Sequence, residues 1–249
     1  MNAPAVRRQL HGSVFTLGAL TLIAWALLVW SVFNMDKTIV AWMMPMTAVW
    51  SPQEAIAVWL MWAVMMGAMM LPSASQVVLL HSRISLARTG TGAETNYFIG
   101  AYLLAWAMFS IAAAGAQWLL QTLGVLSHML VITSNWFAAA ILVMAGLYQF
   151  TPLKDACLRK CRSPAGFFMT GWRAGKPGAF RMGLHHGIYC IGCCWAMMAI
   201  LFVFGVMNLA VIVLLASGVA VEKLLPYGWL TGRALGAGAI GWGAWLALL

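Results

Sequence analysis

Between Leu184 and Met198 the chain reads LHHGIYCIGCCWAMM, which puts His185, His186, Cys190, Cys193 and Cys194 at the front of an apolar stretch. On a helix turning about 100° per residue, His186, Cys190, Cys193 and Met197 follow at i, i+4, i+7 and i+11 within a narrow arc, and Cys194 lies beside it. One face therefore carries imidazole, thiol, thiol and thioether. These are the soft and borderline donors that Cu(I), Zn(II) or iron take, and the run has no carboxylate suited to Mg or Ca. Cys157 and Cys161, four residues apart, precede it and share a face if their segment is helical. A lone cysteine packs as a small hydrophobe and a methionine fills gaps. So many soft donors in so short a run point instead to a metal or redox role.

A tetrahedral zinc site would need four of these seven His and Cys residues, for instance Cys157, Cys161, Cys190 and Cys193, and would mainly pin one segment to another. Copper(I) needs only two or three soft donors, and it would give the methionines elsewhere a purpose. Iron is open but has no spacing in its favour. Copper is the favoured metal.

The elements that must position these residues are set by composition. The chain is 63% hydrophobic and 8% charged, with a mean hydropathy of +0.90, more apolar surface than one soluble core can hide. This predicts an integral membrane protein of the all-α class, a polytopic helix bundle in the lipid bilayer. A net charge of +9 would suggest nucleic acid in a soluble chain, but here the basic residues lie between apolar runs, and no nucleic-acid motif occurs.

Seven spans are expected, at about 14–33, 54–71, 97–121, 135–150, 184–204, 206–221 and 229–249, within one membrane domain covering 1–249. A basic cytoplasmic loop, 151–182, joins the fourth to the fifth. With the N-terminus inside and the C-terminus outside, every Lys and Arg except Lys37 falls on the inner side, as the positive-inside rule asks. The first span reads as a retained signal anchor. The cysteines then sit at or near the reducing face, where no disulfide framework is expected.

Smaller features carry expectations of their own. Met61, Met65, Met66, Met69 and Met70 form overlapping M-x-x-x-M pairs, a possible thioether path for Cu(I) but better read as helix packing. Met43-Met44-Pro45-Met46 lies in the preceding loop. Pro72-Ser73 is expected to end the second span, leaving His81 in a loop over residues 73–96 that holds the turn-forming Thr89-Gly90-Thr91-Gly92. His128 is read as a solvated loop residue, Asn208 as a helix cap, and Glu222 as pairing with Lys223 or with the basic loop.

Tyr148–Pro164 (YQFTPLKDACLRKCRSP), Gly187–Met198 (GIYCIGCCWAMM), Gly205–Asn208 (GVMN), Glu222–Pro226 (EKLLP) and Met65–Pro72 (MMGAMMLP) resemble a bacterial family of predicted metal-binding integral membrane proteins. The resemblance covers most of the chain and implies a multi-pass protein of the bacterial inner (cytoplasmic) membrane. Its function is read as binding a soft metal and passing it on, in metal trafficking or metalloprotein assembly, with a metalloprotein or a larger membrane complex as partner. Active pumping is disfavoured, because the spans have almost no ionisable residue at mid-depth and no P-loop occurs. Two alternatives stay open. One is an accessory subunit packed through its small residues, and the other is an oxidoreductase using Cys190-Ile-Gly-Cys193 or a bound metal.

Overall fold

The computed structural model describes every residue except Met1, Asn2, Met46, Ala48, Gly90, Thr91 and His128; residues 3–11 and Thr89 are described by backbone alone. The expectations placed on Met46 and His128, and on the centre of the turn before Gly92, lie outside the described residues. Among the described residues eleven helices follow in order: α1 (Ala3–Phe33), α2 (Thr38–Ala41), α3 (Pro52–Thr89), α4 (Glu94–Thr122), α5 (Asn135–Tyr148), α6 (Pro152–Arg162), α7 (Pro164–Gly171), α8 (Gly175–Ala199), α9 (Leu201–Phe204), α10 (Leu209–Leu224) and α11 (Gly228–Leu246). The fold is all-α, and among the described residues the one bridge outside a helix joins Leu126 to Ile132.

Local chemistry sets the helix ends. Ser51 and Glu54 form a reciprocal capping box, Ser51 N donating to Glu54 Oε2 at 2.7 Å and Glu54 N to Ser51 Oγ at 3.3 Å. Thr151 caps α6 by accepting from Lys154 N, with Pro152 in the first turn. Asn208 caps α10 through Val211 N, as the sequence suggested. Gly205 stops α9 at φ 101°, a backbone conformation that favours glycine.

Among the described residues four helical segments, Gly12–Phe33, Pro52–Arg88, Glu94–Thr122 and Gly175–Phe204, are long and apolar enough to cross a membrane. A fifth is added if α5 and α6, bent by 60°, make one broken crossing. Helices also occupy the places expected of the sixth and seventh spans, but α10 has only 16 residues and α11, though continuous, is rich in glycine and less apolar than the four spans above.

One expectation is corrected. Pro72 does not end its helix: α3 runs on to Thr89, and His81 is a buried helical residue rather than a loop residue. A proline inside a helix removes one hydrogen bond, here the one to the Ala68 carbonyl, and crowds the turn before it, yet a helix packed on all sides can carry on through it. Here Ser73 Oγ donates to Met70 O at 2.9 Å and the Tyr102 hydroxyl donates to the same carbonyl at 3.2 Å.

The bundle is centred on α3, α4 and α8, with α1 flanking α3, α6 lying along α8, and α10 bridging α3 and α11. Trp62 Nε1 donates to Gln117 Oε1 at 2.8 Å and ties α3 to α4. Glycines bring α8 against α4. A Cβ at Gly183 would lie 2.9 Å from the Phe98 carbonyl carbon, and one at Gly187 would lie 2.5 Å from Ala105 Cβ. The α3 methionines face this centre, for Met65, Met66, Met69 and Met70 are all fully buried.

Candidate metal centre

The close approach of α8 to α4, with α3, α6 and α10 around them, brings the soft donors together. Cys190, Cys193 and Cys194 are buried on α8. The Cys193 and Cys194 thiols donate to the Cys190 carbonyl at 3.1 and 3.0 Å, the back-bonding open to a small polar side chain in a helix. Across the interface, Cys194 Sγ lies 3.8 Å from Met70 Sδ on α3. Cys161, buried on α6, reaches both Cys190 and Cys193. Cys157 is half-buried and rests on Gly192, where a Cβ would stand 2.7 Å from its sulfur. The Tyr148 hydroxyl donates to the Gly192 carbonyl and holds that stretch of α8 to α5.

Two further groups complete the surroundings. The Tyr102 hydroxyl stands 3.1 Å from Cys190 Sγ. Lys223 of α10, 5% exposed, donates to Cys190 Sγ at 2.9 Å and to Ser73 Oγ at 3.4 Å. An ammonium held away from water needs a partner, and Cys190 is the partner able to carry the opposite charge. Glu222, beside it in sequence, is engaged elsewhere, in a buried ion pair with Lys154 of α6, which also donates to Gln149 Oε1. Of the two pairings expected for Glu222, the one with the basic segment forms. It anchors α6, and with it Cys157 and Cys161, against α10.

The candidate residues read from sequence divide accordingly. Cys190, Cys193, Cys194 and Cys161 meet, and Cys157 touches the same stretch of α8. His186 is buried one turn before Cys190, its ring stacked on Tyr102 at 5.7 Å. His185 is exposed on α8, turned away from the thiols. Met197 is buried but lines an apolar cavity with Leu142, Ile200 and Phe204.

Met70, Tyr102, Ser73 and Lys223 are residues that sequence spacing did not bring to the site. Met70 was visible only as one of a methionine stripe, and Lys223 only as the neighbour of Glu222. Among the described residues no three His, Cys, Asp or Glu side chains stand ready-made around a metal position. The donor set is one of thiols with a thioether, which suits a soft ion of low coordination number better than tetrahedral zinc.

A family model described as "PpoB2: Copper chaperone" matches residues 59–246. The chain belongs to this copper chaperone family. The match runs from within α3 to the end of α11 and so takes in every residue of the thiol cluster. Membership gives the protein a copper-related role and agrees with the metal-related resemblance read from its cysteine motifs. No curated protein and no solved structure matches the chain.

Proposed function

We propose that this protein is a membrane-embedded copper(I) chaperone whose cargo is held by the buried sulfurs of α8, α3 and α6. The observation that carries this reading is the meeting of Cys190, Cys194, Cys161 and the Met70 thioether from three separate helices. Copper is cargo here. Loading forms Cu–S bonds as thiol protons are released, and the metal stays Cu(I) throughout. Cys193 and Cys194 need only rotate away from the Cys190 carbonyl to offer their sulfurs. Delivery proceeds by ligand exchange onto a recipient's donors, a passive step that fits a chain without an ATPase motif. Lys223 would balance the negative charge left when two thiolates share one Cu(I).

The surroundings suit this role. Apolar packing excludes water and oxidants, and the buried Lys154–Glu222 pair keeps α6 closed over the sulfurs. The bacterial inner membrane as location, an inside N-terminus and a metalloprotein as recipient belong to this proposal. Apolar helices support the membrane, and the distribution of Lys and Arg the inside N-terminus.

The test is elemental analysis of detergent-purified protein after anaerobic Cu(I) loading, beside a Cys190→Ser/Cys194→Ser variant. Near-stoichiometric copper in the wild type, lost in the variant, is expected. Equal copper in both proteins would remove these sulfurs from the site.

A further inference from the structure

Away from the sulfurs, α6 and the start of α11 frame an open cavity of about 490 Å³ that the handling of copper leaves unused. Three guanidiniums line it, those of Arg159 and Arg162 from α6 and of Arg233 from α11, together with the Asp155 carboxylate, the Ser163 hydroxyl and the Trp229 ring. One carboxylate set against three guanidiniums leaves two positive charges over. Glu222 does not supply the balance, because it is bonded to Lys154, and among the described residues that is the one ion pair. A cleft lined by one sign of charge gathers ions of the other.

Two of the three guanidiniums are held in place. Arg162 Nη2 donates to the Leu225 carbonyl at 2.9 Å and to the Pro226 carbonyl, which fixes the side chain at the turn into α11 and leaves its other N–H groups to donate. The guanidinium of Arg233 lies over the Trp229 ring, 4.7 Å from its centroid. Side chains already ordered lose less freedom when a ligand arrives, and a planar guanidinium matches two oxygens of a phosphate at once. The Ser163 hydroxyl makes no capping bond to α7 and is a further donor.

What lies beside the cavity separates a lipid from a free anion. Leu225 and Tyr227, in the turn that Arg162 grips, and Leu230, next to Trp229, are all exposed. Exposed apolar side chains next to a basic cavity suit a ligand with an anionic head and an apolar tail, and tryptophan is enriched at the depth of lipid headgroups. Basic pockets at the inner ends of membrane helices receive such heads.

We propose that Arg159, Arg162 and Arg233 form a site for the phosphodiester headgroup of an anionic phospholipid, with the acyl chains lying along the apolar surface of α11. The membrane location is taken from the reading above, and copper plays no part. Because Arg162 and the Lys154–Glu222 pair both tie α6 to the end of α10, a lipid held here would also brace the helix that carries Cys157 and Cys161.

The probe is dioctanoyl phosphatidylglycerol, titrated into the metal-free full chain in a nonionic detergent, with bound lipid counted by native mass spectrometry. One lipid per polypeptide is expected, bound more tightly than dioctanoyl phosphatidylcholine, which has the same tails and no net charge. Arg159→Gln/Arg233→Gln should weaken it by about tenfold or more, whereas Lys37→Gln/Lys160→Gln, which removes two charges outside the cavity, should leave it unchanged. Arg159 and Arg233 are exposed, and helical circular dichroism checks that both double variants are folded. Equal binding by wild type and the arginine variant, or an equal loss in both double variants, would overturn the site. Inorganic phosphate and a Glu-rich peptide serve as further probes. Binding of either one, lost in the arginine variant, without binding of the lipid would give the cavity to a free anion or to an acidic protein segment and overturn the lipid assignment.

Discussion

The ammonium of Lys223 on α10 stands 2.9 Å from the sulfur of Cys190 on α8, inside the bundle and away from water. A Cu(I) ion shared by two thiolates carries a net negative charge, and a buried negative charge is costly unless something balances it. Lys223→Met, similar in length and neutral, is expected to weaken Cu(I) affinity by about tenfold, as measured by competition with a Cu(I) chelator. Tighter binding in the variant would mean that the ammonium only competes with copper for the sulfur.

Met70 separates ligation from packing. Met70→Leu conserves volume and should lower unfolding stability by less than about 1.5 kcal/mol. It should nevertheless remove one sulfur from the copper shell seen by X-ray absorption and reduce affinity. An unchanged copper spectrum would return Met70 to the core, the role its place in a methionine stripe suggests.

The buried Lys154–Glu222 pair makes a prediction about stability. Lys154→Met alone leaves an uncompensated carboxylate and should destabilise the protein by about 3–5 kcal/mol. Lys154→Met combined with Glu222→Leu should recover most of that loss, because both charges are then gone. Thermal unfolding of the three proteins in detergent reads the difference. Gly232→Ala should resemble the single variant, since its Cβ would overlap Glu222 Oε1 and stand 2.7 Å from Lys154 Nζ.

Gly183 lets α8 lie against α4, and Gly183→Val tests whether that approach builds the site. The added side chain meets the Phe98 backbone and should cost about 1–3 kcal/mol by overpacking. Widening the gap also draws Tyr102 away from Cys190, so copper affinity should fall together with the melting temperature.

His185 is the control. It lies in the same motif as the site residues but is exposed, so His185→Ala should leave copper content unchanged and stability within about 0.5 kcal/mol. Loss of copper in this variant would place the metal on the opposite face of α8.

The sequence by itself determined that the chain is helical and apolar, where most helices lie, and that its chemistry belongs to sulfur and imidazole. Those properties are local, set by composition, by caps such as Thr151 and Asn208, and by the 3.6-residue period that puts Cys190 and Cys193 on one face. Pro72 shows where local reasoning stopped: a proline expected to end a helix lies inside α3, which runs on through a buried stretch where Ser73 and, from another helix, Tyr102 both bond to the Met70 carbonyl. The tertiary structure alone decided which donors meet. Met70 and Cys194 are far apart in the chain, as are Cys190 and Lys223, and spacing along one helix says nothing about what a second helix presents across the interface. That depended on glycines such as Gly183 and Gly187, whose missing side chains set how near the helices come and so which side chains touch.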